Sequence, residues 1–184
     1  MKVTPTELAG VLVIEPQVFT DTRGFFLETF NEERFAAHGL PLTYRQDNRS
    51  RSHTGVLRGL HYQLHHPQGK LIMAMRGSIY DVAVDIRRGS PTFGRWTSVE
   101  LHEDQPRMLW IPPGFAHGFC VLSDVAEVIY KCTDVYHPGD ERGVLWCDPR
   151  LAIAWPLQSP RVSERDGVFP VLTDDRDDLP SYAP

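Results

Sequence analysis

KLIMAMRGSIYDVAVDIRRG, Lys70 to Gly89, consists of two short apolar runs that meet at Gly77. In the second run Tyr80, Val82, Val84 and Ile86 fall on one face, and Asp81, Ala83 and Asp85 on the other. A period of two is that of a strand, not of a helix. On a lone strand the two carboxylates read as a solvated face, whereas in a closed barrel they could face a polar, ligand-holding interior.

Outward from there, Tyr44 to Trp146 keeps the same texture, with Gly59, Gly69, Gly77, Gly89, Gly94, Gly114 and Gly118 punctuating short strands. Regular short strands with this punctuation indicate an all-β fold, an antiparallel barrel or a double-sheet jelly roll. The N-terminal residues suggest a short turn, then Val11 to Ile14 as a strand stopped by Pro16. Arg23 and Gly24 form a turn before an aromatic strand. Asn31 reads as a helix N-cap, with Glu32 and Glu33 in the first turn, Phe30 and Phe35 as a hydrophobic staple and Gly39 as the stop. This is the one helix expected. From Pro156 the chain is rich in Pro, Ser and Asp and reads as a loose or surface-wrapping arm.

At 184 residues and 41% hydrophobic, the whole of 1–184 fits one domain with a real core. A formal net charge of -5 argues against a nucleic-acid partner, since phosphate neutralisation needs a basic surface. Cys120, Cys132 and Cys147 are odd in number and form no C-x-x-C pair, so they read as buried thiols in a reducing compartment. No stretch approaches the roughly 18 apolar residues of a spanning helix, and the N-terminus has no long apolar run. The expectation is a cytoplasmic protein without a membrane partner.

The chemistry centres on VLRGLHYQ, Val56 to Gln63, where Arg58 and His61 lie three residues apart, with Lys70 following. These groups look as if one β-hairpin brings them together. An imidazole titrates nearest neutrality and makes His61 the candidate general base. Lys70 could hold a developing oxyanion. Tyr130, in EVIYKC, could return a proton from another direction, or could simply pack at a barrel rim. WIPPGFAHGF, Trp110 to Phe119, makes a rigid turn that delivers His117, either into a site or onto a carbonyl of its own turn.

Pro-x-Gly-x-x-His in that turn, with Gly59, His61 and Gly77 before it, resembles the signatures of the cupin jelly roll. Metal cupins carry His-x-His and a later Glu. Here Gln63 takes the second His position, and Gln68, Gly69 and Lys70 stand where the Glu would fall. A lysine cation there would repel a divalent metal, and His65 and His66 read as surface turn residues. The reading is a cupin with no metal and no cofactor.

DTRGFF, QDN, VLRGLHYQ, PQGKL, DVAVDIRRGSPTFGRW, WIPPGFAHGF, YKCTD, ERGVLWCDP and SERD occur in this order. Together they closely resemble the dTDP-4-dehydrorhamnose 3,5-epimerase family, from about Arg23 to Asp166. The resemblance implies a dTDP-4-keto-6-deoxyhexose substrate whose C4 ketone acidifies the protons at C3 and C5. It implies His61 as base, Asp166 as the partner orienting it, Lys70 on the enolate oxygen and Tyr130 as the acid on the opposite face. Arg58 and His117 would line the sugar pocket, Arg23 would meet the diphosphate, and Tyr136 would stack on thymine. Phe26, Glu28, Gln46 and Asn48 fall where such enzymes build their nucleotide site.

The resemblance also implies a homodimer, with the segment carrying Arg23 crossing to the neighbouring subunit. Departures are few: Val135 where an aromatic is common, Arg165 for a usual lysine, and a loop between His61 and Lys70 one residue shorter. The Val135 change touches nucleotide preference rather than chemistry. Rival readings are an epimerase of C3 or C5 alone, a metal-dependent cupin, and a cupin that only binds sugar nucleotides.

Overall fold

A computed structural model describes residues 1–183. Along them run β1 (Lys2–Pro5), β2 (Leu12–Glu15), β3 (Val18–Asp21), β4 (Gly24–Leu27), α1 (Glu32–Ala36), β5 (Gln46–His53), β6 (Leu57–Gln63), β7 (Lys70–Arg76) and β8 (Ser78–Asp85). There follow β9 (Trp96–His102), β10 (Met108–Ile111), β11 (Phe115–Val121), β12 (Val125–Cys132), β13 (Glu141–Gly143) and a 3₁₀ turn at Asp166–Val168. The strands make a six-stranded sheet, β1-β2-β10-β7-β12-β5, facing a five-stranded sheet, β13-β6-β11-β8-β9. This is the double-sheet jelly roll expected from the strand texture.

Alternation along β8 explains how both its faces are used. Ile79 and Ala83 enter the core between the sheets, while Val82 and Val84, with Ile86 just beyond, enter a second core on the outer face of the five-stranded sheet. Asp81 and Asp85 are therefore fully buried, and the solvated reading of that face is overturned. A sheet covered on both sides leaves no wet face. Asp85 is held by Arg87 (2.7 Å), Ser90 (2.5 Å) and Thr92 (2.6 Å), and these bonds satisfy its carboxylate.

The single-hairpin expectation also fails. β6 and β7 belong to opposite sheets, so His61 and Lys70 face each other across the sandwich. The first residues are not a turn but β1, paired with β2 from Lys2↔Glu15 to Pro5↔Leu12. A turn does form there, but of Thr22 and Arg23, with Gly24 already opening β4; it joins β3 and β4 into a separate two-stranded hairpin.

The helix forms as expected. Asn31 caps it by accepting from the Arg34 N–H (3.1 Å), and the Phe30 and Phe35 rings meet at 4.8 Å. Phe35 is buried on the outer face of the six-stranded sheet, a burial that contributes about 1.5–3 kcal/mol. The C-terminal arm wraps the outer face of the other sheet. Leu172 and Leu179 enter its core, and Arg88 exchanges backbone bonds with Pro180 (2.8 Å) and Tyr182 (2.9 Å). Cys120 and Cys132 are buried but Cys147 is exposed, which corrects the expectation for that thiol. Among the described residues no helix is long and apolar enough to cross a membrane.

Candidate active site

The space between the sheets changes character along its length. On β12 the inward positions run Ala126, Val128, Tyr130, and on β7 they run Ala74, Ile72, Lys70. Polar groups thus replace apolar ones toward the same end. There a cleft of about 340 Å³ opens, lined by Arg58, His61, Lys70, His117, Tyr130 and Tyr136 among others.

Two glycines bring the histidine strands together. A Cβ on Gly59 would lie 2.5 Å from the Gly118 Cα and 2.8 Å from the His117 carbonyl, and Gly59 has φ +123°. Only glycine tolerates both that approach and that backbone. His61 and His117 consequently stand opposite each other on β6 and β11.

Each histidine is backed by a buried aspartate. The Asp166 carboxylate meets His61 Nε2 at 2.8 Å and accepts the Gly59 N–H at 3.2 Å. Burial alone would raise the Asp166 pKa; the hydrogen bond and charge of His61, with the Gly59 N–H, outweigh it and hold the carboxyl below its usual range. A carboxylate accepting from Nε2–H leaves the lone pair on Nδ1. His117 Nε2 lies 2.5 Å from Asp81 Oδ1, and Asp81 Oδ2 is buried with no partner.

Lys70 and Tyr130 lie on the opposite wall. Burial pushes the Lys70 ammonium below its ordinary pKa, against the opposing pull of Cys132, Glu141 and Asp81. Burial pushes the Tyr130 phenol up, so it keeps its proton at neutral pH. The Arg58 Nε donates to Ser52 (3.0 Å) on β5. Base and proton donor on opposite sheets, with an ammonium at the cleft, can remove a proton next to a carbonyl, hold the enolate oxygen and return a proton to the other face.

The mouth of the cleft is polar and stapled. Gln46 binds Asn48 (2.9 Å) and takes the Tyr136 N–H (2.6 Å), while the Tyr136 hydroxyl donates to Glu141 (2.7 Å). That bond, with burial, raises the Tyr136 pKa. Gln63 donates to the carbonyls of His66 (2.7 Å) and Val135 (3.1 Å), tying the two rim loops.

Among the residues anticipated from sequence, Gln46, Asn48, Arg58, His61, Lys70, His117, Tyr130 and Tyr136 come together in the cleft, with Asp166 behind His61. Arg23, Phe26 and Glu28 do not. Arg23 and Phe26 lie on the β3–β4 hairpin, Arg23 paired with Asp21 (2.5 Å), and Glu28 pairs with Arg34 (2.7 Å). Glu141 was missed: it lines the cleft, pairs with Arg165, and lies 3.9 Å from His61 Nδ1. Its sequence signal is its place at the head of ERGVLWCDP, a motif quoted above without a role for its glutamate.

Among the described residues one His/Asp cluster brings ligand atoms close, His66, Asp134 and His137 at the rim. The two imidazoles stack at 3.7 Å with planes 17° apart, so their in-plane lone pairs do not converge, and Asp134 already pairs with Arg45 (2.7 Å). The donor set fits a loop clip better than a cation site. His65 is exposed, and its N–H goes to Asp140 (2.9 Å).

The model of a family described as dTDP-4-dehydrorhamnose 3,5-epimerase matches residues 5–174. A Shigella flexneri protein of that name is 54% identical over 168 residues, covering 90% of this chain and 93% of the relative. The crystal structure of a Legionella pneumophila dTDP-6-deoxy-D-glucose-3,5-epimerase with dTDP-4-keto-L-rhamnose superposes with a TM-score of 0.96 at 47% identity, covering 100% and 99% of the two chains. A 3′-monoepimerase from Streptomyces bikiniensis with dTDP-quinovose gives 0.91 at 38%, covering 97% and 92%.

Proposed function

The chain belongs to the dTDP-4-dehydrorhamnose 3,5-epimerase family, and from that membership we propose that it inverts both C3 and C5 of dTDP-4-dehydro-6-deoxy-D-glucose, giving dTDP-4-dehydro-L-rhamnose. The observation that carries the mechanism is the placing of His61, with Asp166 behind it, on one sheet and of Tyr130 and Lys70 on the other.

His61 Nδ1 takes the proton from C3 or C5, and the electron pair moves onto the C4 oxygen. Lys70 holds that enolate oxygen, with Arg58 and the His117–Asp81 pair beside it. Tyr130 then protonates the carbon from the far side, which inverts it. Asp166 stabilises the imidazolium formed when His61 accepts the proton.

The nucleotide lies toward Gln46, Asn48 and Tyr136. Arg23, Phe26 and Glu28 serve a neighbouring subunit's cleft in a homodimer. This reading is supported by the hairpin itself, whose Phe25 and Phe26 are 66% and 65% exposed. Light scattering should give twice the 20.9 kDa chain mass; a monomer at micromolar concentration would contradict it.

The relation to a monoepimerase makes single-site action the specific rival. Proton NMR of the product decides: couplings of the L-rhamno ring support the double epimerase, and a product inverted at C3 alone contradicts it.

A further inference from the structure

Residues beyond 174 lie outside the segment that the family model matches. They read DRDDLPSYAP from Asp175, a run that looks like solvated charge. Arg176 is not solvated: its side chain is only 9% exposed.

Its guanidinium reaches four pieces of chain. Nε and Nη2 grip both oxygens of Asp178 (2.8 and 2.7 Å) within the arm. Nη2 also donates to the Tyr62 hydroxyl (2.9 Å) and to the Gly143 carbonyl (3.1 Å), and Nη1 leans on the carbonyls of Val171 (3.3 Å) and Pro170 (3.4 Å). The Tyr62 hydroxyl donates in turn to the Asp178 carbonyl (3.2 Å).

The acceptors outside the arm's own Asp178 adjoin His61 or a group packed against it. Tyr62 follows it on β6 and points to the opposite face. Gly143 is its cross-strand partner on β13. Pro170 and Val171 follow Phe169, whose ring meets the imidazole at 5.7 Å and packs where a Cβ on Gly143 would be, 2.4 Å away. The same segment begins at Asp166. A planar fork with five donors can tie so many acceptors at once, and a lysine cannot.

We propose that Arg176 is a positioning residue for the His61–Asp166 pair, a buried guanidinium that fastens the C-terminal arm behind the strands carrying the base. It touches no substrate. It fixes the distance and angle at which Asp166 and Phe169 hold the imidazole, and small displacements of a reacting group cost large factors in rate.

The inference rests on the epimerase reading, so the test separates the two. Full-length wild type, Arg176→Met and Arg176→Lys are compared for deuterium incorporation at C3 and C5 from D₂O, for KM, and for dTDP affinity by calorimetry. The expected result is a saturating exchange rate at least tenfold lower in Arg176→Met, intermediate in Arg176→Lys, with KM and dTDP affinity within twofold of wild type. A folded Arg176→Met that exchanges at the wild-type rate, or that changes KM alone, overturns the proposal. If Arg176→Met does not fold, an unchanged rate in Arg176→Lys overturns it. A wild type that exchanges neither carbon contradicts the epimerase reading instead. The Arg176 proposal is then decided by the downfield proton signal of the His61–Asp166 bond: it should sharpen in wild type and broaden in the variants, and an unchanged signal overturns the proposal.

Discussion

Replacing Asp166 by asparagine removes a charge while keeping the shape of the side chain. Asp166 faces two donors, His61 Nε2–H and the Gly59 N–H, both on oxygens of one carboxylate. An amide offers one oxygen, so its NH₂ must confront one donor. If that donor is His61, the imidazole turns to the other tautomer and Nδ1 carries a proton where the base needs a lone pair. If it is Gly59, the tautomer survives but the imidazolium formed on proton abstraction loses its counter-charge. Two unit charges about 4 Å apart attract by about 4 kcal/mol at an effective dielectric constant of about 20. At about 1.4 kcal/mol per factor of ten, that is a loss of about 10³-fold in the abstraction rate. The assay is the initial rate of deuterium incorporation at C3 and C5 with saturating substrate, beside a melting curve to show that Asp166→Asn is folded. A folded variant within tenfold of wild type would refute the argument that Asp166 sustains the charge and tautomer of His61.

Tyr130→Phe should slow net inversion at least tenfold more than it slows washout of the substrate proton, because His61 still abstracts while nothing returns a proton from the far wall; equal losses in NMR time courses would remove Tyr130 as the acid. Lys70→Met keeps the length and loses the cation, and steady-state kinetics should show a fall in kcat of about 10²–10³-fold, the scale for losing one oxyanion donor; a change within threefold would mean that another group holds the oxygen. Asp85 reports on stability. Burial would raise its pKa, but its bonds to Arg87, Ser90 and Thr92 outweigh that and hold it low. Its stabilisation is therefore fully present above the unfolded aspartate pKa of about 4 and is lost as pH falls through the lower folded value. Thermal melts from neutral pH into acid should fall more gently for Asp85→Asn than for wild type; parallel curves would contradict this.

Local signals in the sequence were readable and non-local ones less so. The Asn31 cap and the Phe30–Phe35 staple involve neighbours on one turn of chain, and they form as read. The strand texture carried the double sheet, since alternation records burial directly. It could not say which strands share a sheet, so β6 and β7 read as a hairpin although they lie on opposite walls. Asp81 and Asp85 looked solvated because alternation marks a second face without showing what covers it, and here one aspartate faces the cleft's His117 and the other binds Arg87. Glu141 and Arg176 were illegible for the same reason: a charge is read as wet until the chain that buries it, distant in sequence, is in place. The short edge strands β1 and β3 are mostly exposed and leave almost no apolar pattern. The cleft residues were gathered by their motifs rather than by periodicity, and those on the β3–β4 arm lie away from the cleft of their own chain.

In the proposed mechanism one base, His61, serves both carbons. Incubating wild type and His61→Ala with the dTDP-4-keto sugar in D₂O and reading C3 and C5 by proton NMR tests it directly. Deuterium is expected at both positions with wild type and at neither with His61→Ala; label appearing at either carbon in the variant would contradict a single base.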